Sequence, residues 1–270
     1  MEKKRLYAGA VLVTGASRGI GRETALILAR RGYTVYCASR SGQAPEDSGN
    51  LVGVKMDVTD PESVRAAATQ IGDVQVVIHC AGFGIAGSCE GVQTADAKRQ
   101  LETNFFGVLT VNNIFLPILR RHERSLVVIT SSVAGLIPIP YQAHYSCSKF
   151  ALEAYAEALR MEARRYGVRV TLVEPGDTKT SFTQNRVIAE SPDSDYYQTC
   201  LKSVAKMAHD EQNGAGASKP AMCIAGMLER SNPPVRCAVG FGYKALCMLK
   251  RLLPARLIEA ILRLLYIPSV

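Results

Sequence analysis

The chain has no two cysteines spaced as metal ligands. Its eight cysteines stand at 37, 80, 89, 147, 200, 223, 237 and 247, with no C-x-x-C pair. That pattern excludes a structural zinc site and reads as buried free thiols in a reducing cytoplasm. No apolar run approaches the ~18 to 20 residues that a membrane-spanning helix needs, so a spanning segment is excluded. The opening, MEKKRLYAGAVLVTG, lacks a small-residue cleavage site after its short apolar run and reads as a first strand, not a signal peptide. Charged residues are only 21% of the 270 against 47% apolar, and the 22 Gly and 12 Pro are spread along the length. Disordered, collagen-like and low-complexity chains are thereby excluded, and no internal repeat is visible. One globular α/β domain of ordinary packing remains.

Basic residues exceed acidic ones, 32 to 24, which favours phosphates or an anionic surface as partners. The excess is uneven: within 243–270, Lys244, Lys250, Arg251, Arg256 and Arg263 face Glu259 alone. This basic apolar tail (241–270), divided by Pro254, has no aromatic-interleaved basic face, which argues against nucleic acid.

Short β-branched runs at 10–15, 33–39, 51–57, 74–82, 125–132, 168–176 and 234–240 read as strands, and helix-length segments lie between them. Continuous rather than alternating hydrophobicity belongs to parallel strands covered on both faces. The expected fold is a Rossmann-type, doubly wound parallel sheet in a single domain. Helices are expected over 19–31, after Asp60-Pro61 with Asp60 as N-cap, over 95–121, over 144–166 ending at Gly167, and near 218–230. The polar segment 177–217 breaks this rhythm and reads as a substrate-covering insertion.

Thr14-Gly15-Ala16-Ser17-Arg18-Gly19-Ile20-Gly21 follows a strand and opens a helix. Glycines let the backbone approach a pyrophosphate, and the helix N-terminus offers it free N–H groups and partial positive charge, so Gly15, Ser17, Arg18, Gly19, Ile20 and Gly21 are candidate cofactor contacts. At the end of the second strand, dinucleotide folds that take the form without a 2′-phosphate place an acid against the ribose. Here Ser39-Arg40 occupies that place. A guanidinium, with Arg18 opposite, suits a 2′-phosphate, which favours NADP(H) over NAD(H) unless both arginines are merely solvated. Asp57, with Val58 packing nearby, is either a hydrogen-bond acceptor for the adenine amino group or the cap of a turn.

Ser132 stands just past a strand end, and thirteen residues on Tyr145 and Lys149 are four apart at the start of a long helix. That spacing puts phenol and ammonium on one helix face, where the charge is expected to lower the tyrosine pKa toward working pH.

These motifs resemble the short-chain dehydrogenase/reductase family, over about 10 to 240, in its single-domain TGxxxGxG and Y-x-x-x-K type. The resemblance implies a catalytic group of Asn104, Ser132, Tyr145 and Lys149. Hydride would pass between nicotinamide and a carbonyl or alcohol carbon while Tyr145 exchanges the proton on its oxygen. Ser132 would hold that oxygen, Lys149 would bind the nicotinamide ribose, and Asn104 would hold a water relaying protons from Lys149. Pro175, Gly176, Thr178 and Thr180 match the family's nicotinamide-binding turn, with Thr178 where Ile or Val is usual. Cys80-Ala81-Gly82 replaces the family's usual Asn-Ala-Gly.

The long insertion and the tail look like the branch holding hydroxysteroid and retinol dehydrogenases. They imply a bulky lipophilic alcohol or ketone, with a hydroxysteroid expected. Other carbonyls (retinoid, small ketone, acyl thioester) and a non-catalytic nicotinamide-sensing regulator are the alternatives. Phe83, Ile85, Ile137, Ile139, Tyr141 and Phe182 are candidate pocket walls by their places after strand ends. The tail has three readings: a cover over the cleft, a subunit contact, or a pair of amphipathic helices on an anionic membrane. The resemblance also implies a homodimer or tetramer through helices 95–121 and 144–166.

Overall fold

The structure, a computed structural model, describes residues 5–46 and 49–267. The basic head (1–4) and the last three tail residues (268–270) lie outside the described residues. The chain enters the sheet at its middle. Strands β1 (Val11–Thr14), β2 (Val35–Ser39), β3 (Leu51–Lys55), β4 (Val76–His79), β5 (Ser125–Thr130), β6 (Val168–Glu174) and β7 (Arg236–Ala238) stand in the order β7-β6-β5-β4-β1-β2-β3, all parallel. Each strand runs one to three residues shorter at an end than its hydrophobic run, because those runs continue into the turns beyond.

The continuous hydrophobicity follows from cover on both faces. Successive side chains point to opposite sides, so in β1 Leu12 joins the core against Val64, Phe115 and Leu152 while Val11 and Val13 join that against Leu26, Leu28 and Ile224. Helices α1 (Gly19–Arg30) and α7 (Ser218–Met227) cover one face, and α2 (Pro61–Ile71), α4 (Gly107–Leu119) and α5 (Ala143–Ala163) the other. Asp60 caps α2 as its sequence implies, its carboxylate accepting from Glu62 N at 2.9 Å with Pro61 at the first helical position. Gly167, at φ 78°, turns the chain after α5 into β6.

The single helix expected over 95–121 is instead α3 (Thr94–Leu101), a π-helical turn (Glu102–Phe106) and α4. The wide turn carries Asn104, fully buried, and π insertions of this kind recur at functional sites. The 177–217 insertion is also more ordered than its polar composition suggests. It contains α6 (Tyr197–Asn213), and two short parallel ladders pin it: Thr178–Lys179 on Ala215–Gly216, and Val187–Ile188 on Ile85–Ala86. Beyond β7 the tail forms α8 (Phe241–Leu252) and α9 (Ala255–Tyr266), with Pro254 between them.

Three sequence expectations change here. Ile85 is 2% exposed and committed to the Val187 ladder, so it is core and not pocket wall. Tyr141, held at φ 59°, packs on the small cluster of Ala86, Cys200 and Val204 and lines neither the cavity nor the groove. The thiols are not uniformly buried: Cys89 and Cys147 are exposed.

Candidate active site

The chain's order in the sheet reverses between β1 and β4, and the loops leaving the two strands part there, opening a crevice at the strands' carboxyl ends. A polar groove of about 630 Å³ occupies that crevice. Gly15, Ser17, Arg18, Gly19, Ile20 and Gly21 line it on one side, with Ser39, Arg40, Asp57, Val58, Cys80, Ala81 and Gly82 around them. The glycines are needed for shape. A Cβ on Gly15, whose φ is 66°, would stand 2.7 Å from Ala81 N, and one on Gly21 would press into the Gly15 carbonyl. Gly19, at φ 57°, turns the loop into α1 with only Thr180 near where a Cβ would stand, leaving the helix N-terminus bare.

Arg40 is exposed at the groove edge and makes no ion pair among the described residues. Arg18 donates to Asn185 Oδ1 at 3.0 Å, tying the glycine loop to the insertion. Asp57 does cap a turn, Oδ1 accepting from Thr59 N and Thr59 Oγ1 at 3.0 and 2.8 Å, while still lining the groove. The replacement of the usual asparagine by Cys80 leaves the backbone in place. Thr14 Oγ1 accepts from Cys80 N and Ala81 N at 3.2 and 3.3 Å, and the Cys80 thiol meets Thr130 Oγ1 at 3.3 Å. Burial pushes that thiol up to about 11, so it is neutral.

A second, apolar cavity of about 250 Å³ adjoins the groove and shares Ile20, Cys80, Phe83, Thr130, Thr180 and Phe182 with it. Ser132, Tyr145 and Lys149 face this cavity, as do Ile137, Ile139, Pro175, Gly176 and Thr178. The Phe182 ring lies 5.5 Å from the Tyr145 ring. Lys149 Nζ donates to the Thr130 carbonyl at 3.0 Å and sits 5.7 Å from the Tyr145 ring centre. Asn104 lies just behind. Its Oδ1 accepts from Phe83 N at 3.0 Å, and its Nδ2 donates to the Phe83 carbonyl and to Ser148 Oγ, so it braces the loop after β4 against α5. Ser132 Oγ accepts from Ala134 N at 3.1 Å and donates to the Pro175 carbonyl at 3.4 Å.

Electrostatics depart from the simple expectation for Tyr145 and Lys149. Burial pushes Tyr145 up to about 12, with the neighbouring Ser132 hydroxyl acting in the opposite direction. Burial also pulls Lys149 down to about 8, opposed by Cys80 and Glu153. In the protein without ligand, desolvation of both groups outweighs any help the ammonium gives the phenol.

Sequence reasoning named no wall residue from the tail. Tyr243 lies over Gly176, accepting from Asp177 N at 2.9 Å and donating to Asp177 Oδ2 at 2.6 Å, and Leu246, Leu253, Ile258 and Leu262 complete the cavity's outer side. Glu211 of α6 reaches the same cavity, ion-paired to the buried Arg186. The available signal was the helical spacing of apolar residues in 243–266, and it shows which residues share a face without showing what that face meets.

Residues 9–191 match the short chain dehydrogenase family. The chain belongs to that family. It is 38% identical over 263 residues to a 3-ketodihydrosphingosine reductase of Bacteroides thetaiotaomicron, covering 95% of this chain and 97% of the relative. It is 31% identical over 261 residues to retinol dehydrogenase 8 of Homo sapiens, covering 89% and 84% respectively. A short-chain dehydrogenase from Streptomyces avermitilis superposes with TM-score 0.82 at 27% identity, covering 94% of this chain and 95% of that one. The protein is thus a short-chain oxidoreductase, and the groove suits the nicotinamide dinucleotide that such enzymes take: a bare helix N-terminus, a glycine cradle and an open length.

The depressed Lys149 pKa sets a sign for stability. Between about 8 and 10.5 the unfolded lysine holds a proton that the folded one has lost, so this residue's destabilising effect is full below 8 and fades as pH rises through that window. Unfolding by denaturant at about pH 7 and about pH 10 is expected to show wild type gaining up to about 3 kcal/mol relative to Lys149→Met. A pH-independent difference between the two proteins would contradict the buried ammonium.

Proposed function

We propose that the protein is an NADP(H)-dependent reductase of a ketone carried by a long lipophilic substrate, or a dehydrogenase of the matching secondary alcohol. The observation that carries this reading is the position of Tyr145, Ser132 and Lys149 at the inner end of an aliphatic cavity that opens onto the dinucleotide groove. When bound, the nicotinamide supplies or accepts the hydride. The residues of the chain handle the oxygen. Tyr145, neutral at working pH because burial holds it up, donates its proton to the forming alkoxide. Ser132 gives that oxygen a hydrogen bond, and Lys149 holds the ribose hydroxyls and returns a proton to Tyr145. Asn104 keeps α5 and the Phe83 loop in register for this, with a water beside it as the route to solvent. A neutral phenol is the form that gives the proton in the reductive direction, and the phenolate is the form that takes it in the oxidative one.

The walls support this substrate class. Leu246, Leu253, Ile258 and Leu262 offer only dispersion and exclusion of water, which suits hydrocarbon and keeps the hydride path dry. The compounds in the names of two relatives, 3-ketodihydrosphingosine and retinol, are both long lipids. That support moves the reading from a hydroxysteroid to a long-chain ketone. The same reading includes a cytoplasmic enzyme that self-associates through α3, the π-helical turn, α4 and α5, near the exposed Phe106 and Met161.

Loss of NADPH absorbance is expected with a long-chain amino ketone in preference to ketosteroids, retinal, a small ketone or an acyl thioester. Preference for the small ketone would refute the lipophilic pocket, and tight NADPH binding with no turnover would support the regulator. Tyr145→Phe is expected to lower kcat by about 10²-fold or more while cofactor binding, read by fluorescence, persists. Retained turnover would remove Tyr145 from the proton step. For cofactor choice, Arg40→Asp is expected to raise the NADPH KM by about tenfold or more and to spare NADH, since charge-assisted bonds to a 2′-phosphate are lost. Equal loss of both would unseat Arg40 from that role.

A further inference from the structure

Helices α8 and α9 are apolar on two sides. Their inner sides wall the cavity through Leu246, Ile258 and Leu262, with Leu253 of the turn between them. Their outer sides carry several of the most exposed hydrophobic groups among the described residues. On α8, Phe241, Met248 and Leu252 are 88%, 63% and 74% exposed, and their spacings of seven and four residues put them on one stripe. On α9, Leu264 is 84% exposed, and Leu257, seven residues earlier, shares its stripe. Scattered exposed leucines are ordinary, but a stripe of them on each of two consecutive helices is a feature that a freely soluble surface does not carry without use.

Charge indicates what covers the patch. Lys244, Arg251, Arg256 and Arg263 are all exposed beside these stripes, and Glu259 is the acid in the two helices. Lys250 is turned inward onto the Leu136 carbonyl and the Phe150 ring. Exposed cations bordering an apolar face match an anionic lipid surface, with phosphates at the level of the guanidinium groups and acyl chains under the leucines. At twelve residues each the helices are too short to span, and no helix among the described residues is long and apolar enough to cross a membrane. They would lie in the interface.

The cavity opens on the same surface. Leu249 of α8 and Ile261 and Leu265 of α9 each line the cavity and are each more than a third exposed, so they form its rim. We propose that the outer face of α8 and α9 docks on an anionic phospholipid bilayer, and that lipophilic substrate passes from the bilayer into the cavity past Leu249, Ile261 and Leu265. The entry route rests on the lipid-substrate reading above. The docking does not, and it is measured without turnover.

The test is flotation of the full chain with vesicles of phosphatidylcholine, alone or with about 30% phosphatidylglycerol. Binding is expected to the anionic vesicles, to weaken as salt shortens the Debye length, and to fall tenfold or more in the triple variant Arg251→Gln, Arg256→Gln, Arg263→Gln. Leu252→Glu with Leu264→Glu is expected to abolish binding. None of these residues lines the cavity or the groove, so NADPH binding and turnover of a water-soluble carbonyl serve as the check that each variant is folded. Equal binding to both vesicle types, or binding untouched by the variants, would overturn the proposal. So would the absence of vesicle binding in a dimer that Leu252→Glu with Leu264→Glu dissociates, since the face would then belong to a second copy of the chain. If docking holds but the carbonyl panel is silent, the catalytic reading fails alone.

Discussion

A buried ammonium at the carboxyl end of a parallel strand governs the geometry of the site. Lys149 is 5% exposed, and removing a charge from water is costly unless a polar partner takes the place of solvent. Its partner is the Thr130 carbonyl, the last of β5, at 3.0 Å. This bond fixes where α5 sits along the sheet. Tyr145 lies one turn earlier on the same face, Ser132 is two residues beyond the strand end, and Ser148 between them meets Asn104 from the π-helical turn. Three elements distant in sequence thus converge because one charge must be satisfied. Thr130 also links sideways, its hydroxyl meeting the Cys80 thiol at the end of β4.

The reversal of strand order then divides the site by polarity. On the β1 to β3 side the loops carry Arg18, Ser39, Arg40 and Asp57 around an open groove, where they would hold the charged part of a dinucleotide. On the β5 to β7 side the insertion and tail close over Tyr145 with aliphatic groups. Their attachment is polar even where their contact is not. The Arg186 to Glu211 pair is buried inside the insertion, Glu190 accepts from Ser88 N at 2.6 Å, and Tyr243 and Asp177 bond each other beside Gly176. Removing one partner of the Arg186 pair would leave a buried charge alone, a defect worth about 3 to 5 kcal/mol.

Local chemistry made much of this legible in the sequence. The glycine loop is readable because only residues without a Cβ allow the Gly15 to Ala81 approach, and Tyr145 and Lys149 because a spacing of four shares a helix face. The sheet was readable because burial on both faces leaves nearly continuous apolar runs. The π-helical turn at Asn104 was not, since one extra residue in a turn does not alter hydrophobic spacing enough to show. Ile85 and Tyr141 were misplaced for a related reason. Position after a strand end predicts proximity to the cleft, whereas the side chain's direction depends on the ladder with Val187 and on the left-handed backbone at 141, both set by distant segments. The tail's amphipathicity is plain in sequence, but what its inner face meets depends on the packing of Tyr243 on Gly176, a contact between distant segments.

The tail and the acid at the centre are one problem. Tyr145 is pushed up to about 12 and Lys149 down to about 8 by the same cause, withdrawal of water. Tyr243, Leu246 and their neighbours on α8 and α9 line the outer wall of the cavity that both groups face. A closed wall therefore favours a proton-loaded phenol, the form that gives a proton to a carbonyl being reduced. If α8 and α9 moved outward, water would reach both groups and their pKa values would relax toward those of free tyrosine and lysine. A charge introduced on the inner face of this cover would disturb the burial of both groups, whereas one on its outer face would disturb neither.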